Sequence, residues 1–260
     1  MPFTLVHPAA VLPVARKPLV VSALVAGSLA PDLLYLDPVY RLATSVSGDF
    51  TLTRTHSWSA VPGLDPLLAA VMLLIWYALL RRPLLALAPA RLAGRFGPVA
   101  KWASMRYLAW AYLSTVIGAA THVLWDGLTH EGELFGFPIA ALRAEAITGM
   151  SGGRVLQYVS TALGAVCLLW WGWRWWRRTE PGPRGEGLAP RTRWWVTILL
   201  TLVVLVAAGI ELVQVGIPGL AETGETEYPV RSLLVGAASG LALGIGAYTV
   251  LWHGWLRRVK

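Results

Sequence analysis

An all-α, polytopic bundle of about five to six transmembrane helices, preceded by a short N-terminal re-entrant or interfacial helix, is the fold this sequence predicts. Three observations predict it. Of the 260 residues, 56% are hydrophobic and 14% charged, whereas an ordinary soluble domain carries about 25% charged residues. Apolar runs recur that match the about 20 residues a helix needs to cross a bilayer. The chain also holds 14 Trp, a residue that anchors at the lipid–water boundary.

Taken in order, residues 2–15 are apolar but too short to span, and Pro8 and Pro13 interrupt them. They read as a re-entrant or interfacial helix. Residues 18–36 form a candidate span broken by Pro31 and Asp32. Runs 64–80, 105–124, 155–176 and 194–217 qualify clearly as spans. Run 232–256 is rich in Gly and Ala, which permits close helix packing. "RRTEPGPRGEGLAPRTR" at 177–193 reads as a flexible linker. It divides a membrane-embedded core, 1–176, from two C-terminal helices within 194–260. No basic segment precedes the first apolar residues, so no cleavable signal peptide is expected.

A net charge of +8 would suggest nucleic acid in a soluble protein. Here the arginines flank apolar segments, in "LLRRPLL", "WRWWRR" and "WLRRVK", so they read as topology signals and headgroup contacts. No nucleic-acid partner is expected. The lone Cys167 allows neither an internal disulfide nor a cysteine-based zinc site. Segment 81–106 carries Arg81, Arg82, Arg91, Arg95, Lys101 and Arg106 with no acid, and 174–193 and the C-terminal "RRVK" are also basic. "LTHEGELFGF" and "LAETGETEYP" at the opposite helix ends are acidic. The excess of positive charge places the basic loops and the C-terminus in the cytoplasm of a bacterial plasma membrane.

That orientation gathers the metal-binding residue types on one side. Asp32 falls at the outer end of the first candidate span, His56 just before the second, and His122, Asp126 and His130 at the end of the third. His122 and Asp126, four apart, share a helix face and can hold one ion between them. His130 lies about 12 Å beyond His122 on a straight helix. Either the helix breaks near Gly127 and curls back, or His130 serves a second metal. His7 joins the same face if the N-terminal helix dips in from outside. Two carboxylates and three imidazoles suffice for one or two divalent ions, zinc first, with manganese or magnesium as alternatives. Gln157, Ser160 and Thr161 fall near the outer start of the fourth helix, where they can orient the ligands. "TGMSGGR" at 148–154 reads as a flexible entrance loop.

At these residues a resemblance enters. "MPFTLVHPAAVLP", "GSLAPDLLY", "RTHS", "GAATHVLWDGLTH" and "LQYVSTALG" resemble a bacterial integral-membrane family known only as domain of unknown function 4184. More distantly, the set is similar to membrane-bound metal-dependent hydrolases, which share an acidic D-x-D-type site, a "THS" and an "H-x-x-x-D" helix. Here the acidic motif is reduced to Asp32, with Asp37 five residues on. The resemblance implies a metal site rather than any one substrate.

The function expected is metal-dependent hydrolysis of a lipid or lipid-linked ester or phosphoester at the outer face. Asp32, His56, His122, Asp126 and His7 would be ligands, with His130 a ligand or general base. Arg54 would neutralise charge developing on a phosphate. Two other classes stay open: a transporter or structural partner, and a magnesium-dependent enzyme acting on an isoprenoid diphosphate.

Overall fold

A computed structural model describes residues 4–48, 50–97, 104–147, 149–183, 187–224 and 227–256. Lys101 and the residues 257–260, both used in the charge reading, lie outside them. The bundle is built from six helices: α1 (Val21–Leu29), α2 (Leu64–Leu87), α3 (Met105–Asp126), α4 (Gly152–Arg178), α5 (Pro190–Glu211) and α6 (Glu227–Leu251). Five stretches are long and apolar enough to cross a membrane: Leu64–Leu87, Met105–His130, Gly152–Arg178, Pro190–Thr223 and Tyr228–Trp255. Their flanks expose Leu163, Val166, Leu169, Leu199, Leu202, Leu205 and Val206. Water would not tolerate that surface, but lipid solvates it, and the chain reads as an integral membrane protein.

The candidate span at 18–36 is not a full crossing. After Leu29 it tightens into a 3-10 turn, Ala30–Tyr35, at Pro31, which lacks an N–H. The whole element covers roughly 25 Å, short of the about 30 Å hydrocarbon core. The N-terminal stretch forms turns and a one-turn helix, Pro8–Val11, with Val11 buried.

Lipid offers no hydrophobic reward for helix association, so close van der Waals contact must hold the bundle. Glycine supplies it twice. A Cβ on Gly27 of α1 would stand 2.2 Å from the Thr115 carbonyl oxygen of α3, and one on Gly118 of α3 would stand 2.3 Å from that of Leu24. The backbones of α1 and α3 therefore touch. Gly236 and Gly240 on α6 meet Ala207 of α5 in the same way.

Proline placement then joins the halves. Pro83 has no N–H, so the Leu79 carbonyl loses its usual helical donor, and His253 Nε2 donates to it at 3.0 Å. Tyr248 donates to the Pro83 carbonyl at 2.8 Å, and Ala86, Tyr248 and Trp252 form a buried cluster. These contacts dock α5 and α6 onto α2. The segment read as a flexible linker is also tied down: Gly182 N–H donates to Gly94 and Leu188 N–H to Ala86. Residues 184–186 lie outside the described ones. The glycine-rich stretch read as an open loop is likewise ordered by pairing, since Met150–Ser151 pairs with Glu145–Ile147 and Ser151 caps α4.

Candidate metal centre

Three segments deliver four side chains to one point. The 3-10 turn after α1 carries Asp32, the turn after a one-turn helix Leu52–Thr55 carries His56, and the last turns of α3 carry His122 and Asp126. One ligand atom from each of Asp32, His56, His122 and Asp126 lies within 4.8 Å of the others, a group that can hold a metal ion. Pro31 tightens the backbone so that Asp32 is turned inward and buried. Thr55, fully buried, donates to the Pro31 carbonyl at 2.8 Å. This bond fastens the turn bearing His56 to the turn bearing Asp32. The Gly27–Gly118 crossing does the same for His122, one helical turn further along α3.

Backbone carbonyls orient both imidazoles alike. His56 Nδ1 lies 2.8 Å from the Leu52 oxygen, and His122 Nδ1 lies 2.8 Å from the Ser28 oxygen. A carbonyl only accepts, so Nδ1 carries the hydrogen in each ring. Each Nε2 then faces carboxylates. His56 Nε2 is 3.1 Å from Asp32 Oδ1 and 3.4 Å from Asp126 Oδ2. His122 Nε2 is 3.5 Å from each of the same two oxygens, and this buried nitrogen makes no hydrogen bond among the described residues. Neutral rings in this pose aim lone pairs at anionic oxygens, which requires a positive charge between them. Tetrahedral ligands about 2.1 Å from a zinc ion stand about 3.4 Å from one another. The separations here match that spacing and mostly exceed that of a good hydrogen bond.

Outside the spanning helices, two imidazoles are displaced in opposite directions. Burial works against a charged His56, but hydrogen bonds to Asp126 and Asp32 outweigh it and raise the ring from 6.5 to about 10. Burial, reinforced by His122, lowers His7 from 6.5 to about 4 despite the attraction of Asp126 and Asp32. The metal-free site thus holds its charge on His56 and leaves His7 neutral.

His7 lies beside the four-atom group rather than within it. Its ring stacks on His122 with centroids 3.8 Å apart, and its Nε2 is 3.5 Å from Asp126 Oδ1. His130 is also outside the group. The helix does not break at Gly127; it widens into a π-turn, Gly127–Glu131, and keeps His130 Nδ1 3.6 Å from Asp126 Oδ1. Thr129 Oγ1 lies 3.2 Å from that nitrogen, and Gln157 Nε2 lies 2.8 Å from His130 Nε2. Gly152 and Gly153 let α4 reach Gln157 into place, because a Cβ on Gly153 would press on the Thr129 carbonyl at 2.9 Å. Ser160 donates to the Gln157 backbone carbonyl, and Thr161 faces the adjoining cavity. Arg54 is exposed and lines neither of the two cavities beside the site.

Those cavities differ in character. A mostly apolar one of about 240 Å³ runs along α4 from His7, Asp126, His130 and Gln157 to Leu163 and Cys167. A more polar one of about 690 Å³ is bounded by Tyr35, His56, Ser57, Asp126, His130 and Arg231. Asp126 and His130 line both. The sequence reading missed Arg231 in this role, and it missed Asp65. The Asp65 side chain is fully buried at the start of α2, with neither carboxylate oxygen hydrogen-bonded among the described residues. Its position in the first turn of an apolar run looks like ordinary helix-end charge, so nothing in the sequence marked it as buried.

A family model described as Domain of unknown function (DUF4184) matches residues 1–250. No curated protein and no solved structure matches the chain.

Proposed function

The chain belongs to the DUF4184 family, and from that premise we propose that it is a membrane-bound, metal-dependent hydrolase. Its substrate is a lipid or lipid-linked ester or phosphoester, reached from the outer face of the membrane. One observation carries the reading: the four-ligand group adjoins both an apolar and a polar cavity. An amphiphile can lay its chain along α4 and keep its head among polar groups, with the bond to be cut beside Asp126 and His130. Two imidazoles and two carboxylates suit zinc, whereas magnesium prefers oxygen ligands alone. Two carboxylates also balance the charge of a divalent ion.

A divalent ion in this place lowers the pKa of water and polarises an acyl or phosphoryl oxygen. The residues supply the rest. Ser28 and Leu52 fix the imidazoles, Asp32 and Asp126 provide the countercharge, and His130, within reach of both cavities, takes a proton as general base. Arg231 on the polar side offers a cation for an anionic head.

The test uses the full chain in detergent or nanodiscs. Bound metal is measured by elemental analysis, and hydrolysis is followed on a panel of acyl-ester and phosphoester lipids. The expected result is stoichiometric zinc and a lipid product, both lost in His122→Ala. Metal content near zero, or retained metal with no product from any lipid, overturns the reading.

A further inference from the structure

We infer that the chain holds a second divalent cation, bound by His7 Nε2, His130 Nδ1 and Asp126 Oδ1, with Asp126 bridging the two ions. This inference rests on the first ion being present. The Asp126 carboxylate is divided between two groups: Oδ2 faces His56 and His122, whereas Oδ1 faces His7 at 3.5 Å and His130 at 3.6 Å. Both separations are too long for useful hydrogen bonds and match neighbouring ligands on one ion, about 3.4 Å apart. A carboxylate bridging in this way sets two ions about 3.5–4 Å apart, the spacing of two-metal hydrolytic sites.

The two positions differ in what they leave open. The first has four protein ligands, which fills a tetrahedral ion. The second has three and faces the cavity along α4, whose lining includes His7, Asp126 and His130. Three protein ligands and a vacancy are the arrangement of catalytic zinc. Gln157 completes the set. An amide can present its oxygen to His130 Nε2–H, and that pairing leaves Nδ1 as the electron-pair donor. His7 is delivered from outside the helical bundle by a one-turn element packed on α4. Val6 fits against Gly164 so closely that a Cβ there would stand 2.2 Å from Val6 Cγ1.

The experiment counts ions in the purified, metal-stripped, full-length chain reloaded with zinc alone. Two equivalents are expected in the wild type and one in both His7→Ala and His130→Ala. A wild-type count of one overturns the second site and leaves the proposed hydrolase standing, whereas a count of zero overturns both. Two ions retained in both variants also overturn it. Loading the wild type with manganese gives an independent readout by electron paramagnetic resonance. A spin-coupled pair supports the bridge even if a variant loses both ions, and an isolated six-line signal overturns it.

Discussion

His122 concentrates the physical argument: it is fully buried, its Nδ1 is committed to the Ser28 carbonyl, and its Nε2 faces two carboxylates. Removing the ring leaves those carboxylates buried with less countercharge, so His122→Ala is expected to abolish stoichiometric metal, as elemental analysis would show. Thr55→Val keeps the side-chain volume but deletes the bond to Pro31. The ion should still bind, about 10–100-fold more weakly, as for other groups that orient metal ligands, and a chelator competition would measure it. The pH dependence has a definite sign. His56 is protonated below about 10 in the metal-free site and must lose that proton to bind an ion. Affinity should therefore rise with pH, by about tenfold per unit for this one proton across the neutral range. His7, already neutral above about 4, adds nothing to that slope. A pH-independent affinity between pH 6 and 8 would contradict the assignment of His56. The ligand residues were legible in the sequence because carboxylates and imidazoles are rare in apolar chain and recur at one kind of helix end. Asp65 was not, since a charge in the first turn of a helix is ordinary.

At the scale of the element, small residues and prolines do most of the placing. The touching backbones of α1 and α3 set the Ser28 carbonyl against His122, so Gly118→Ala must push the helices apart at the Leu24 carbonyl. Overpacking of this kind costs about 1–3 kcal/mol. We expect a lower Tm in detergent together with weaker zinc binding, even though the new methyl touches no ligand. Unchanged metal affinity would show that the crossing does not position His122. The long helices were legible because hydrophobic length alone decides whether a segment crosses a bilayer. The half-length of α1 was only partly legible: Pro31 announced an interruption, but how far the tightened turn reaches depends on Thr55, from another segment. The turn bearing His130 was hidden for a similar reason. A helix that widens rather than breaks after Gly127 follows from its packing against the start of α4, and no local propensity encodes that.

The whole molecule combines a site at one end of its helices with arginines gathered at the other, and this polarity makes a topological prediction. Arg81 and Arg82 lie within α2, Arg177 and Arg178 in the last turn of α4, and Arg191 and Arg193 at the start of α5. The paired strands around Glu133 and Glu145 instead follow the metal-bearing end of α3, where Arg143 is engaged by Glu133. Basic residues are retained on the cytoplasmic side during insertion, so the metal centre should open to the exterior. The linker reading failed at this scale because composition reports local flexibility, whereas Gly182 and Leu188 are fixed by distant carbonyls. Cysteine mapping can decide the sidedness. Cys167 is first replaced by serine, and single cysteines are then placed at the exposed positions Ala146 and Glu180. In intact cells a membrane-impermeant maleimide should label Ala146→Cys and leave Glu180→Cys unmodified until the membrane is opened. The opposite pattern would put the site in the cytoplasm. It would remove the outer-leaflet substrate from the proposal while leaving the ligand geometry as it stands.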